Sequence, residues 1–153
     1  METLEPIITK HPFFEGFKPH HIKLLVGCAS NVRFNPGEFL LRGGEEANQF
    51  FVLRQGKVAI ELSAPGRKPI MIQMLEGGEI LGWSWLVPPY QWRFGGRAIE
   101  PTGAIAFDGK CLRTKCEEDH DLGFELLKRF TTVITKRLDA ASLQLLDIYG
   151  EHS

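Results

Sequence analysis

The spacing of apolar and polar positions changes twice along the 153-residue chain. Helical spacing in the first thirty residues gives way to short β-branched and aromatic runs separated by glycine, and helical spacing returns near residue 110. We therefore predict a single domain over 1–153. Its N-terminal helices lie in 1–29, a β-barrel in 30–109 and C-terminal helices in 110–150, so the expected fold class is mainly β with flanking helices.

The N-terminal region is predicted to hold two short helices. Leu4 to Lys10 forms the first, and His11-Pro12 ends it because proline disfavours helix in the residue before it. Pro19 can occupy the first turn of the second helix, which ends near Gly27.

The middle of the chain predicts many short strands. Glycine-containing pairs such as Pro36-Gly37 and Gly77-Gly78 separate the short apolar runs. This pattern is typical of a sandwich or a jelly-roll barrel rather than a parallel sheet. The predicted strand segments are Val32–Phe34, Glu38–Arg42, Gln49–Leu53, Lys57–Leu62, Ile70–Met74 and Arg97–Asp108.

A long helix is predicted at the C-terminal end. Lys110 to Glu118 forms a short polar helix, and Asp119 caps a second helix that runs to Tyr149 with Gly150 as its stop. Roughly 30 residues at about 1.5 Å per residue extend for about 45 Å, too far for a barrel of this size to cover.

Apolar residues in this long helix recur at alternating intervals of three and four. The seam consists of Phe124, Leu127, Thr131, Ile134, Leu138, Ala141, Leu145 and Ile148. Such a heptad seam favours pairing with a second copy, so we predict a homodimer through Leu127, Ile134, Leu138, Ala141 and Leu145. The alternative is one wide apolar face that packs wholly against the barrel.

Composition and charge exclude several classes of protein. Apolar residues make up 43% of the chain, charged residues 24%, and the formal net charge is -1, so no positive field attracts nucleic acid or an anionic membrane. The acidic start Met1-Glu2-Thr3-Leu4-Glu5 has no layout of a secretion signal, and no apolar stretch is long enough for a membrane span. We therefore expect the protein to be located in the cytoplasm.

The cysteines predict neither a disulfide framework nor a zinc site. The chain has an odd number of cysteines, Cys28, Cys111 and Cys116, and none of them has Cys-x-x-Cys spacing. We therefore expect reduced, partly buried thiols.

Two glycine-rich stretches carry a family resemblance. Gly44-Glu45-Glu46-Ala47-Asn48-Gln49-Phe50-Phe51-Val52-Leu53-Arg54-Gln55-Gly56-Lys57-Val58 resembles the central hairpin of cyclic nucleotide-binding domains in the Crp/Fnr-like superfamily, with glycines at backbone positions that a Cβ would strain. Leu75-Glu76-Gly77-Gly78-Glu79-Ile80-Leu81-Gly82 resembles the entry to that family's phosphate-binding cassette.

The resemblance implies a double-stranded β-helix (jelly-roll) barrel, a long C-terminal dimerisation helix and a ligand held by helix N-terminal amides and an arginine. It does not extend to a helix-turn-helix, so we expect no DNA binding by this chain alone.

The cassette departs from the family pattern in this sequence. Trp83 stands where a ribose-binding glutamate is usual, and an indole has no acceptor. Arg93 stands at the phosphate-pairing arginine, with Arg97 as an alternative cation, and Ala141-Ser142 stands where a Thr-Ser pair reads the purine.

All three tryptophans lie between Trp83 and Trp92. They line a cavity for a flat or apolar ligand, or they fill it and no ligand binds. The candidate ligand-binding residues are Gly82, Trp83, Ser84, Trp85, Arg93, Phe94 and Ser142. The candidate ligand is a cyclic nucleotide or another small anionic or aromatic molecule.

No enzyme signature is present in the sequence. The histidines, His11, His20, His21, His120 and His152, lie outside the predicted strands, which disfavours a cupin-type metalloenzyme, and no metal site is predicted. His20-His21 is expected to be a solvated surface. We predict a non-enzymatic ligand-sensing regulatory module, with a ligand-free dimeric interaction protein that has a protein partner as the alternative and a cupin-type enzyme as a remote one.

Overall fold

The computed structural model describes residues 4–150. Helices flank a β-barrel at both ends of the chain, as predicted. Helix α1 (Glu5–Lys10) is followed by a 3₁₀ turn (Pro12–Phe14) and helix α2 (Pro19–Val26). Pro19 occupies the first turn of α2, and Gly27 is its C-cap. The predicted break at His11-Pro12 and the predicted start and end of α2 are therefore confirmed.

The described residues form two four-stranded antiparallel sheets that make the barrel. The strand orders are β1-β8-β3-β6 and β2-β7-β4-β5. The strands are β1 (Ala29–Phe34), β2 (Phe39–Leu41), β3 (Gln49–Gln55), β4 (Lys57–Leu62), β5 (Ile70–Glu76), β6 (Ile80–Leu81), β7 (Gly95–Ala98) and β8 (Thr102–Asp108). This mainly β architecture confirms the predicted jelly-roll fold class.

Two details of the predicted strands are corrected. The segment Arg97–Asp108 is two strands, β7 and β8, because the chain turns between Ala98 and Thr102. Strand β6 was not predicted; its two residues are Ile80 and Leu81, which pair with Val52 and Phe51 of β3. A two-residue strand is too short to show alternation in a sequence.

Strand β3 is buried on both faces. Phe50 stacks on Phe107 of β8 at a ring-centroid distance of 4.5 Å, and its neighbour Phe51 contacts Phe34 at 5.9 Å. Because successive side chains of a strand point to opposite faces, Phe50 meets the helical layer and Phe51 meets the barrel interior. This double burial explains the uninterrupted apolar run in β3.

Helices α3 (Gly109–Glu118) and α4 (His120–Gly150) follow the barrel. The Asp119 carboxylate accepts a hydrogen bond from the backbone N–H of Leu122, which confirms the predicted cap between the two helices. Helix α4 has 31 residues, and Gly150 is its last described residue. Leu122, Leu126 and Phe130 of α4 are buried against the domain.

The cysteine prediction is wrong for two of the three residues. Cys28 and Cys111 form a disulfide between chain positions 83 residues apart. The backbone N–H of Asp108 donates to the carbonyl of Cys28 (2.8 Å), which brings the start of β1 beside the start of α3. Spacing in the sequence does not report this tertiary proximity. Cys116 is outside the disulfide, and burial raises the pKa of its thiol to about 11.

The expectation of a solvated His20-His21 surface is also wrong in part. His20 is exposed, but His21 is only 1% exposed and its Nε2 lies 3.0 Å from the Asp119 carboxylate. Within residues 4–150, no helix is both long enough and apolar enough to cross a membrane.

Candidate functional site

A cavity of about 590 Å³ lies between the barrel and α4. The second sheet contributes apolar residues such as Leu41 and Ile60, and α4 contributes the opposite wall. The wall on α4 consists of Ile134, Arg137, Leu138, Ala140, Ala141, Gln144, Leu145 and Ile148. The cavity is therefore a cleft whose shape depends on how α4 sits on the barrel.

The segment after β6 forms the third side of the cavity. Gly82 has a φ of +95°, and the indole of Trp92 occupies the space beside it, 2.7 Å from where a Cβ would stand. Only glycine combines this backbone conformation with such a close ring. The short helix expected in the cassette is a 3₁₀ turn here, Ser84–Leu86.

Backbone hydrogen bonds hold the loop that leads to Arg93. The N–H of Trp92 donates to the carbonyl of Glu45 (2.9 Å), and the N–H of Gly44 donates to the carbonyl of Trp92 (2.8 Å). Arg113 of α3 donates to the carbonyl of Trp85 (2.6 Å), and its guanidinium lies 4.3 Å from the ring centroid of Tyr90. The segment before β7 is therefore held by the backbone of Gly44 and Glu45 on one side and by Arg113 on the other.

Five of the seven candidate ligand-binding residues line the cavity. They are Gly82, Trp83, Ser84, Arg93 and Phe94. Their ligand-binding role stays a prediction, but their placement agrees with it. Four of the five predicted dimer residues, Ile134, Leu138, Ala141 and Leu145, lie on the same cavity wall.

Trp85 and Ser142 require correction, because neither lines the cavity. Trp85 is fully buried in the core, stacked on Phe50 at 5.3 Å and edge-on to Phe130 at 5.7 Å. Trp83 precedes the 3₁₀ turn and Trp85 lies within it, and the two rings point to different sides of the segment. Ser142 is exposed on α4, and Ala141 lines the cavity in its place.

The structure separates the two candidate arginines. Arg97 makes a bidentate pair with Glu61, with both N···O distances at 3.0 Å. The guanidinium beside Glu61 holds the pKa of that carboxyl below its ordinary value. Arg97 is absent from the cavity lining, whereas Arg93 is exposed at it. Arg93 is therefore the cation that a ligand can reach.

Arg137 is a second cation at the cavity that the sequence reasoning missed. Its Nη2 donates to the carbonyl of Ile80, and its guanidinium lies 5.0 Å from the ring centroid of Trp83. Burial lowers the pKa of Arg137. A signal for it existed in the sequence, because Arg137 lies three residues after Ile134 and four before Ala141, on the cavity side of α4.

The cavity is apolar and electropositive. Two arginines, Arg93 and Arg137, stand beside aromatic and aliphatic side chains, and no carboxylate belongs to the lining in the described part of the chain. Ligand pockets commonly combine apolar walls with a few convergent polar groups. The arrangement suits a small anion with a flat or apolar body.

A barrel with a cleft bordered by a C-terminal helix is the fold of a known family of domains. The family model described as "Cyclic nucleotide-binding domain" matches residues 31–119. The chain belongs to this family, which confirms the resemblance to cyclic nucleotide-binding domains.

Individual relatives agree with this assignment. A CRP-like cAMP-activated global transcriptional regulator of Mycobacterium tuberculosis is 21% identical over 145 residues, 95% of this chain and 63% of the regulator. Human cGMP-dependent protein kinase 2 is 33% identical over 64 residues, 41% of this chain and 8% of the kinase. The chain thus spans less than two thirds of either relative.

A solved structure supports the same fold. The crystal structure of a Geobacter metallireducens protein described as cyclic nucleotide-binding has a TM-score of 0.80 and 22% identity, over 90% of this chain and 99% of that one. Similar folds are also found in the catabolite activator protein of Thermus thermophilus, with a TM-score of 0.69 and 19% identity over 91% of this chain and 63% of that one, and in the regulatory domain of Toxoplasma gondii PKA, with a TM-score of 0.71 and 14% identity over 86% of this chain and 48% of that one.

Proposed function

We propose that this chain is a non-enzymatic sensing module that binds a small anionic ligand in the cleft between the barrel and α4. The observation that carries the proposal is the cavity itself, which combines Arg93, Arg137 and Trp83 with seam residues of α4 in one lining. A ligand there contacts the barrel and the long helix together, so it is placed to report its presence through α4.

The lining indicates the chemistry of the ligand. A guanidinium pairs with a phosphate or a carboxylate through two parallel hydrogen bonds, and the exposed Arg93 is free of the Glu61 pair that occupies Arg97. Trp83 offers one donor and no acceptor, so a ribose hydroxyl finds no carboxylate at this position. A cyclic nucleotide therefore binds in an altered pose, or another anion with an aromatic or apolar body takes its place.

Calorimetry or a thermal-shift screen tests this ligand class. The probes are cyclic AMP, cyclic GMP, cyclic di-GMP, heme and small aromatic acids. We expect binding of at least one, lost in Arg93→Ala and kept in Arg97→Ala, the matched control outside the cavity. Binding that survives Arg93→Ala contradicts the assigned anchor, and no binding by any probe contradicts the sensing role.

We also propose that α4 pairs with a second copy of the chain. Leu127, Leu138 and Leu145 of the predicted seam are half-exposed or more. A ligand shifts an equilibrium only through different affinity for its two states, and the dimer interface supplies a second state for α4 to adopt.

Sedimentation velocity tests the dimer. Leu127 lies on the seam but outside the cavity lining, so Leu127→Glu separates assembly from ligand binding. We expect a dimer for the unchanged chain, a monomer for Leu127→Glu, and a dimer for the exposed off-seam control Lys136→Glu. A chain that stays monomeric at high concentration contradicts the proposal.

The alternative function is a ligand-free dimeric interaction protein. Exposed apolar side chains on β5, namely Ile70 and Met71, favour it because they offer a surface to a protein partner. A dimer that binds none of the probes supports this alternative.

With a net charge of -1, the chain alone is not expected to bind nucleic acid. An electrophoretic mobility shift assay with duplex DNA checks this expectation.

We propose a cytoplasmic location on the basis of the bacterial regulator that the chain resembles. Disulfides are rare in reducing compartments, so the redox state of Cys28 and Cys111 in cells tests this location. Quantitative alkylation of both thiols supports a reducing compartment, whereas protection of both contradicts it.

A further inference from the structure

Two histidines and an aspartate converge on the side of the domain where α2 meets the α3–α4 junction. The Asp119 Oδ2 lies 3.0 Å from His21 Nε2 and 3.7 Å from His20 Nε2. One potential ligand atom from each residue lies within 4.8 Å of the other two. None of the three residues lines the cavity described above.

The local structure fixes the cluster before any ion binds. The N–H of Leu122 donates to Asp119 Oδ1 (3.2 Å), which leaves Oδ2 directed at the imidazoles. His21 is buried against the edge of the Phe17 ring, and its imidazole has little freedom to turn away.

We propose that His20, His21 and Asp119 form a binding site for a divalent transition-metal ion of the zinc type. Ligand atoms at about 2.0–2.1 Å from a tetrahedral ion are about 3.3–3.4 Å apart. The distances from Asp119 Oδ2 to His21 Nε2 (3.0 Å) and to His20 Nε2 (3.7 Å) bracket this value. Two imidazole nitrogens and one carboxylate oxygen suit zinc, cobalt or nickel and disfavour calcium and magnesium, which take oxygen ligands. Water fills the remaining position, because His20 is exposed on that side.

The same geometry limits the affinity of the site. When His21 Nε2 binds the ion, the ring proton lies on Nδ1. This atom is buried and has no hydrogen-bond partner among the described residues. A buried N–H without an acceptor carries a free-energy cost, and metal-binding histidines usually donate their second N–H to an acceptor. We therefore expect weaker binding than at closed structural zinc centres.

An ion at this place ties α2 to the start of α4. Asp119 is the single non-helical residue between α3 and α4, while His20 and His21 belong to α2. An ion that binds the folded chain and not the unfolded chain stabilises the folded state by mass action. We therefore expect zinc to raise the Tm and to restrain the junction from which α4 extends.

Titration calorimetry of the metal-free, untagged chain with ZnCl₂ tests the site, and the visible absorption of bound Co²⁺ reports its ligand geometry. We expect one ion per chain and at least about tenfold weaker binding in His20→Asn and in Asp119→Asn. Asparagine retains N-cap ability, so Asp119→Asn keeps the start of α4. His120→Asn, an exposed neighbouring histidine outside the cluster, is the matched control and should bind as the unchanged chain does.

Two results overturn the proposal. One is the absence of saturable Zn²⁺ binding to the unchanged chain. The other is equal affinity in the unchanged chain, His20→Asn and Asp119→Asn. Because His20 is exposed, His20→Asn is not expected to disturb folding, and its circular dichroism spectrum checks this. The outcome is independent of the anionic ligand proposed for the cavity.

Discussion

The two halves of α4 share one apolar spacing but occupy opposite environments. In the first half Leu122, Leu126 and Phe130 are buried, and Phe130 is edge-on to Phe50 at a ring-centroid distance of 5.0 Å. In the second half every described residue from Leu138 to Gly150 is exposed, and Leu146 is 66% exposed. The first half belongs to the core of the domain, whereas the second half extends beyond it.

A heptad seam marks an apolar face of a helix, but it does not identify what covers that face. The domain covers the flank formed by Leu122, Leu126 and Phe130, whereas the seam residues Phe124 and Leu127 are exposed. Arg137 makes the last described hydrogen bond between α4 and the barrel. Beyond Arg137 the seam borders the cavity on one side and open solvent on the other. The proposed ligand site and four of the five residues proposed for the dimer therefore lie on the same stretch of the helix, from Ile134 onward.

The largest expected effect comes from the buried half. Phe130→Ala should reduce the free energy of unfolding by about 3–5 kcal/mol, because it removes a ring from a cluster that includes Phe50 and Trp85. Urea denaturation followed by tryptophan fluorescence measures the change. A loss below about 1 kcal/mol would show that the first half is not part of the core.

Reduction of the Cys28–Cys111 disulfide is expected to have the next largest effect. The bond closes a long loop that contains the whole barrel, so its loss should destabilise the domain by about 2–4 kcal/mol. Denaturation with and without dithiothreitol, in a Cys116→Ser background that removes the third thiol, measures the difference. Equal free energies of unfolding under both conditions would contradict a stabilising role for this disulfide.

Arg137→Met is expected to have an intermediate effect at the boundary between the halves. It keeps an apolar stem but leaves the carbonyl of Ile80 without its donor, which should cost about 1–3 kcal/mol. Hydrogen exchange should then rise in α4 from Ile134 onward and not near Leu126. The adjacent exposed variant Lys136→Met is the control, and uniform protection in both variants would contradict this boundary.

The smallest effect on the monomer is expected in the exposed half. Leu146→Ala should change the free energy of unfolding by less than about 0.5 kcal/mol in dilute protein, because its side chain contacts mainly water. At concentrations where the chain is dimeric the same change should become larger, since assembly stabilises the folded state. Denaturation at two protein concentrations separates these cases, and a large loss at both would place Leu146 in the core.

Much of the candidate site was predictable and part of it was not. Gly82, Trp83, Arg93 and Phe94 are neighbours along one cassette, so turn chemistry and family spacing located them together. Trp85 was misplaced because one residue in a 3₁₀ turn decides which side of the segment a ring occupies. The spacing of Arg137 on α4 could have indicated its side of the helix, but its contacts could not be predicted, because Ile80 and Trp83 lie more than fifty residues earlier in the chain.

The class of fold, the succession of N-terminal helices, barrel and C-terminal helices, the cap at Asp119 and the heptad seam of α4 could all be predicted from the sequence. These properties depend on local periodicity and turn chemistry, which act over a few residues. The Cys28–Cys111 bond, the burial of His21 beside Asp119, and the choice between Arg93 and Arg97 at the cavity became visible only in the folded molecule. These depend on which distant segments meet, because packing of the barrel against its helices brings together groups whose separation along the chain carries no signal.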